Sequence, residues 1–313
     1  MPTAANAAAE AEARSGAEAA LVDQVRSFNR IVTQRAGALD DRYLGRNRPL
    51  GQDRVLWEIG AEGCEVRALR SRLGLDAGHL SRLLRALEDS TLVRTEPSPA
   101  DGRIRVARLT HQGERERALL DRRSDELAES MLAPLDPAQR TELVAAMRAV
   151  KRLLTAATID IRPADAAGPD ARSCVRAYFA ELDRRSPTGF DVAAGISAEP
   201  HEVTPPAGLF LVAYVRGEPV GCGAVKHHPG APSEIKRMWV AESTRGLGIA
   251  RRLLAELESD AVRSGASVAR LETNRALVEA IELYRSAGYA EVLAFNDEPF
   301  AHHWFEKRLP GAA

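Results

Sequence analysis

The sequence predicts a chain of two domains, mainly α-helical in its first half apart from one short hairpin, and α/β (α+β) in its second. Its 313 residues exceed one typical domain of roughly 100 to 200 residues. The hydrophobic periodicity also changes along the chain. Up to Leu154 apolar residues recur at helical spacing, and from Thr158 short apolar runs alternate with helical stretches. The break falls at Thr155-Ala-Ala-Thr158, followed by the alternating, proline-ended strand Ile159-Asp-Ile-Arg-Pro163. Residues 1–16 are accordingly expected to be a disordered tail, 17–155 the first domain and 156–313 the second.

Charge narrows the function classes. With 43 Lys and Arg against 44 Asp and Glu the net charge is -1, which excludes a polybasic protein held to polyanions by bulk electrostatics. Any nucleic-acid contact must come from a local patch. Residues 67–108 supply one: nine arginines stand there against five acids. The longest apolar run, Gly208 to Val215, is far short of the roughly 18 residues that cross a bilayer. The first twenty residues have Arg14 as their only cation and lack the order of a signal peptide. Cys64, Cys174 and Cys222 are odd in number and far apart in sequence, which suits neither a disulfide framework nor zinc spacing. The expectation is a cytoplasmic protein with no membrane partner and no metal.

In the first domain Val66 to Leu73 is a short amphipathic segment broken by Gly74, and Asp76 stands where an N-cap opens the next helix. That helix, about Ala77 to Ser90, carries Leu80, Leu83, Leu84 and Leu87 on one face. Ser81, Arg82 and Arg85 are thereby turned outward. Two helices joined by a tight Gly-containing turn are the helix-turn-helix arrangement, and the second helix has the width a major groove admits. Val93 to Thr95 and Ile104 to Leu109 bracket the turn-rich Pro97 to Arg103, so Arg103 and Arg105 lie on a hairpin that can reach phosphates or the minor groove. Solvated surface arginine is the ordinary alternative for any one of these residues.

Arg82, Arg85, Leu92-Val93, and Asp101-Gly102-Arg103 running into Val106-Ala-Arg-Leu-Thr-His-Gln-Gly113 together resemble the MarR family of winged-helix regulators, over about residues 20 to 154. The resemblance implies binding of double-stranded DNA at a pseudo-palindromic site by a homodimer built from terminal helices. The matching segments are Val22 to Ala38, Gly113 to Leu132 and Asp136 to Leu154, the last with Pro137 at its first helical position.

In the second domain Leu209 to Arg216 and Pro219 to Lys226 flank the hairpin signal Gly217-Glu218. Glu234 to Val240 is a third strand, followed by Ala241-Glu-Ser-Thr-Arg245-Gly246-Leu247-Gly248-Ile249-Ala250 and a helix marked by Leu253, Leu254, Leu257 and Ala261. A glycine-rich loop entering a helix exposes unpaired N–H groups at the positive end of the helix dipole, where a pyrophosphate can approach. It is neither a Walker loop nor Gly-x-Gly-x-x-Gly. Val268 to Thr273 reads as the next strand, followed by Asn274, a helix from Ala276 to Ala287 containing Tyr284, and Gly288-Tyr289.

Arg245-x-x-Gly248-x-Ala250 after a strand, with Leu283-Tyr284 ahead of Gly288-Tyr289, resembles the GNAT N-acetyltransferases over about residues 158 to 309. Only Ala241-Glu242-Ser243 departs, standing where a proline often stands. The resemblance implies acetyl-CoA as co-substrate, held by Met238, Val240, Arg245, Gly246, Leu247, Gly248, Ile249, Ala250, Asn274 and Tyr284. It also implies direct attack by a small-molecule amine, or an amino-acid-like acceptor, on the thioester. An alkylammonium of pKa about 10 must first lose a proton. Glu234 is the candidate base or the head of a water relay, the N–H near Met238 the oxyanion donor, and Tyr284 the acid for the leaving thiolate. A core tyrosine and a strand-end carboxylate are the ordinary alternatives for Tyr284 and Glu234. His303 and Asn296 are candidates for the acceptor pocket, and the loop Ser186 to Pro206 carries no readable specificity. Three functions remain open: a DNA-binding transcriptional regulator fused to an acetyltransferase, a regulator whose second domain only senses acetyl-CoA or another ligand, and an enzyme whose winged helix only dimerises.

Overall fold

The computed structural model describes residues 4–38, 43–99, 101–185 and 198–310, with side chains from residue 16. The chain divides into two compact units, Met1–Val144 and Ala145–Ala313.

The first unit begins with helix α1 (Ala4–Arg35), which starts well before Val22. Alanine is the strongest helix former, so this Ala- and Glu-rich stretch takes up helix without needing an apolar stripe. Of the expected tail 1–16, residues 1–3 lie outside the described residues and the backbone is helical from Ala4. Next come α2 (Leu50–Ile59), strand β1 (Cys64–Glu65), α3 (Val66–Leu73) and α4 (Ala77–Asp89). Gly74 ends α3 in the left-handed region at φ 63°, and the Asp76 carboxylate caps α4 by accepting from His79 N at 2.8 Å. Leu80, Leu84 and Leu87 are buried with Val55, Leu56, Ile59 and Leu69 in one core. Strands β2 (Val93–Pro97) and β3 (Arg105–Leu109) form an antiparallel hairpin, with β1 on the far side of β3.

Helix α5 (His111–Leu132) is tied to the end of α4 at its first turn. Thr110 Oγ1 accepts from Gly113 N at 3.0 Å and donates to Thr91 O at 2.6 Å. A Cβ at Gly113 would overlap the Leu92 carbonyl oxygen, which explains the glycine in the Leu-Thr-x-x-Gly string. Helix α6 (Pro137–Ala157) opens on a reciprocal cap: the Asp136 carboxylate accepts from Gln139 N at 2.9 Å, and Asp136 N donates to Gln139 Oε1 at 3.1 Å.

The second unit holds β4 (Ile159–Pro163), α7 (Pro169–Arg185), β5 (Gly208–Val215), β6 (Glu218–Lys226), β7 (Ser233–Val240), α8 (Ile249–Arg263), β8 (Val268–Thr273), α9 (Val278–Ser286), β9 (Ala290–Val292) and β10 (His303–Arg308). One seven-stranded sheet runs β4-β5-β6-β7-β8-β10-β9. Every pairing is antiparallel except β7 with β8, whose parallel register ends after Ser233–Ala269 and Glu234–Arg270. Ile249, Leu253, Leu254, Leu257 and Ala261 bury one face of α8 in the core with Ile235 and Leu271. Cys174 on α7 and Cys222 on β6, far apart in sequence, are buried in one cluster, where Cys174 Sγ donates to Gly221 O at 3.7 Å and Cys222 Sγ to Arg237 O at 3.2 Å. Among the described residues no helix is long and apolar enough to cross a membrane.

The tight join at Gly113 gives a stability prediction for the first unit. Gly113→Ala should destabilise it by about 1–3 kcal/mol, the range for forced overpacking, because backbone rather than a mobile side chain opposes the methyl group. Thermal unfolding followed by circular dichroism checks this.

Candidate functional site

The parting of β7 and β8 builds the cleft of the second unit. Beyond Glu234 the β7 edge that faces β8 has no strand partner among the described residues, while its other edge stays paired with β6 through Val240. Arg237, at φ 55°, sits in the left-handed region at a bulge where the β6–β7 register shifts. Such a bulge re-aims the following backbone. The cleft that opens here has a volume of about 510 Å³, walled by Met238, Trp239 and Val240 of β7, Tyr178 and Leu182 of α7, and Leu277, Ala280, Leu283 and Tyr284 around α9.

One end of the cleft is the start of α8. Gly246 and Gly248 have φ values of 77° and 79°, where a side chain is disfavoured, and Gly248 is the helix N-cap. Gly246, Gly248, Ile249 and Ala250 all line the cleft, at the end of a helix whose first N–H groups have no intrahelical acceptor. Arg185, Arg245 and Arg251 stand around the same end. An apolar slot leading to free N–H groups and cations suits an elongated ligand with an anionic, phosphate-bearing end.

Of the residues singled out in the sequence, Met238, Val240, Arg245, Gly246, Gly248, Ile249, Ala250 and Tyr284 come together on this cleft. Leu247 packs against the core instead. Asn274 holds a turn: its Oδ1 accepts from Ala276 N at 2.9 Å and its Nδ2 donates to Phe300 O at 2.8 Å. Arg245 lines the cleft while its guanidinium is bound to Glu181 Oε2 at 2.6 Å and Val240 O at 3.2 Å. Glu181 also accepts from Trp239 Nε1 at 3.0 Å and pairs with Arg185 Nε at 3.0 Å. The loop is thus clamped to α7 through a buried carboxylate that the motif did not point to. Tyr178, Glu181 and Trp239 depend on α7 crossing the sheet, an apposition with no local sequence signal.

Tyr284 is buried, and burial pushes its phenol well above the usual tyrosine range, so it keeps its proton. Glu234 lies at the last β7–β8 register pair, bound by Arg270 at 2.6 Å and flanked by Lys236 and His228, each at 3.4 Å. Burial alone would push its carboxyl up, but Lys236, Arg270 and His228 hold it below the usual range. His303 pairs with Glu291 at 2.6 Å and Asn296 accepts from Trp304 Nε1 at 2.8 Å. Residues 186–197 of the loop Ser186 to Pro206 lie outside the described residues. Among the described residues no group of three or more His, Cys, Asp or Glu is placed to hold a metal ion.

In the first unit Ser81, Arg82 and Arg85 are exposed on the side of α4 away from its buried leucines. At the hairpin tip Asp101 accepts from Arg103 N at 3.0 Å and leaves the Arg103 side chain exposed. Arg105, also exposed, donates to Thr95 O at 3.1 Å. Two other arginines of the window, Arg94 and Arg108, pair with Glu96 at 3.3 Å and 2.9 Å.

Residues 206–291 match the family model described as an acetyltransferase (GNAT) domain, and residues 47–104 match that of the MarR family. An IAA acetyltransferase of Azospirillum brasilense is 43% identical over 83 residues, which are 26% of this chain and 54% of that protein, so the chain spans about half of that relative's length. Among solved structures, a putative acyl-CoA N-acyltransferase from Klebsiella pneumoniae is 26% identical and covers 49% of this chain and 99% of its own, with a TM-score of 0.41. The PcaV transcriptional regulator from Streptomyces coelicolor is 27% identical over 40% of this chain and 93% of its own, with a TM-score of 0.35. The chain carries, in this order, a MarR-family winged-helix segment and a GNAT-family acetyltransferase domain.

Proposed function

We propose that the chain is a cytoplasmic DNA-binding regulator whose second domain, about residues 156–313, transfers the acetyl group of acetyl-CoA to a small amine or amino-acid-like acceptor. The cleft between β7 and α9 carries this reading: it joins free β7 edge groups, a protonated tyrosine and a glycine-rich helix start in one continuous space. Residues around Gly246 to Ala250 bind the pyrophosphate, and the apolar walls take the pantetheine arm. The N–H beside Met238 receives the developing oxyanion. The neutral amine nitrogen forms its bond to the carbonyl carbon, the C–S bond breaks with its electron pair going to sulfur, Tyr284 protonates the thiolate, and the proton shed by the nitrogen returns to the tyrosine through solvent. Arg245 acts through Glu181, holding the loop in shape, and Leu247 and Asn274 shape its flanks. Glu234, fixed by Arg270 and Lys236, orders the end of β7.

The winged-helix domain, about residues 17–155, reads DNA through Ser81, Arg82 and Arg85 on α4, with Arg103 and Arg105 on the hairpin contacting phosphates. Leu21, Val25, Phe28 and Val32 form an exposed apolar stripe on α1, which supports pairing of two copies and hence a pseudo-palindromic site.

Three measurements test the reading. Gly248→Glu places charge and bulk against the anionic end of the ligand and should abolish acetyl-CoA binding in calorimetry, with the thermal melt of the chain retained. Tyr284→Phe should keep acetyl-CoA affinity and lower kcat by roughly 100-fold, as loss of one proton-transfer group does. If Tyr284→Phe leaves turnover and DNA control untouched while Gly248→Glu removes DNA control, the domain senses its ligand without catalysis. Arg82→Ala/Arg85→Ala should weaken binding to the duplex upstream of the chain's own gene. Arg103→Ala should lower the slope of log affinity against log salt by about 1 for each phosphate contact removed. Unchanged affinity of the α4 double variant would assign the winged helix to dimerisation alone.

A further inference from the structure

Helix α7, laid across β5, β6 and β7, separates two spaces in the second unit. Tyr178, Glu181, Leu182 and Arg185, spaced i, i+3, i+4 and i+7, line the cleft described above. Arg172, Val175, Arg176 and Phe179 repeat that spacing along another face of the helix and line a second pocket, of about 260 Å³. The two spaces have no lining residue in common.

The chemistry of the second pocket is one-sided. Phe210 of β5 and Val203 of the turn before it are buried and add to the apolar wall begun by Val175 and Phe179. The polar part is entirely cationic: Arg172, Arg176 and Arg237 line the pocket, and among the described residues no Asp or Glu does. Arg172 and Arg176 are exposed and stand at i and i+4 of one helix, where like charges repel, and neither has an acidic partner among the described residues. Arg237 is more deeply set. Its Nη2 donates to Ala198 O at 2.7 Å, and its guanidinium lies over the Phe179 ring at 5.0 Å. Burial works against the positive charge of Arg237 more strongly than its neighbours favour it. An anion in the pocket offsets both costs, the repulsion along α7 and the desolvated charge on β7.

The walls decide which anion. A fully hydrated ion would leave the phenylalanine and valine surfaces facing water, whereas an apolar body covers them. A guanidinium fork matches a carboxylate with two parallel N–H donors. The volume lies below the roughly 300–1,000 Å³ that holds drug-sized ligands, which limits the occupant to about one ring.

We propose that this pocket binds a small monocarboxylate with a phenyl-sized apolar body, its carboxylate held by Arg172 and Arg176 and its ring laid against Phe179 and Phe210. The site is separate from the acetyl-CoA cleft and does not depend on acetyl transfer taking place there. Its occupant adjoins Arg237, the bulge residue that immediately precedes Met238.

The test is a calorimetric titration of the full chain with phenylacetate, which should bind with a Kd of about 1 mM or tighter. Acetate lacks the apolar body and phenylacetamide lacks the charge, so each should bind at least about tenfold more weakly. Arg172→Glu/Arg176→Glu changes two exposed residues and should weaken phenylacetate by about tenfold or more with the thermal melt kept. Should that variant melt early, Arg172→Gln/Arg176→Gln removes the charges without reversing them and should weaken binding in the same direction. Gly248→Glu, which obstructs the other cleft, should leave phenylacetate affinity within about threefold. Absence of saturable binding up to about 10 mM overturns the proposal. Acetate binding as well as phenylacetate overturns it by reducing the site to surface ion pairing, and phenylacetamide binding as well overturns it by leaving the arginines no part. Unchanged affinity in the arginine variants, or loss of affinity in Gly248→Glu, places the ligand elsewhere and overturns it too.

Discussion

Two register pairs, Ser233 with Ala269 and Glu234 with Arg270, make up the backbone pairing of β7 with β8, and the second unit is organised around the point where they stop. A parallel pair that continued would consume the β7 edge groups in a ladder and fill the gap with backbone. The early stop is built in from the other side of β7. Arg237 takes a left-handed conformation at the bulge, and on β6 a Cβ at Gly223 would press on Met238 Sδ and Leu257. A side chain at that glycine would displace the ends of the Met238 and Leu257 side chains. Strand, bulge and helix α8 thus fix each other, and the cleft is the space they leave.

The carboxylates around the gap divide by how fully they are paired. Glu181 accepts from Trp239 and pairs with Arg245 and Arg185, a fully occupied carboxylate; Arg185 is further paired with Glu279 and Arg245 with the Val240 carbonyl. Meeting donors from α7, β7 and the glycine-rich loop at once makes it a clamp. Glu234 accepts from Arg270 and has Lys236 and His228 each at 3.4 Å. Glu272 has a single cation, on one oxygen. Three glutamates with similar burial therefore differ in the number of basic groups that surround each.

The local features of this fold were legible in the sequence. The α3–Gly74–α4 corner, the Asp76 and Asp136 caps, and the strand–loop–helix order at Gly248 are set by neighbours a few residues apart, and the structure has them where the pattern placed them. What long-range packing decides was not legible. Arg245 reads as a phosphate ligand in its motif, yet its guanidinium is bound to α7, a helix more than sixty residues earlier. Glu272 sits in an alternating strand pattern that gives no hint of its orphaned oxygen. Cys174 and Cys222 look unrelated until α7 is laid on the sheet. In α1 periodicity marks only the part with an apolar stripe, because an alanine-rich helix needs no stripe to form.

The same distinction settles how the arginine patch of the first unit should be read. By count, nine arginines over residues 67–108 form a broad basic surface. Cross-strand register changes that, because Arg94 pairs with Arg108 across β2 and β3 and Glu96 serves both guanidinium groups. These two arginines hold the hairpin, and Arg108 further donates to Glu62 O at 2.7 Å. The charge projecting from this hairpin is then concentrated toward its tip, at Arg103 and Arg105, while Arg82 and Arg85 project from α4. A few projecting cations on two elements of fixed geometry attract a polyanion weakly at long range and discriminate by position at short range, which suits a chain of nearly zero net charge.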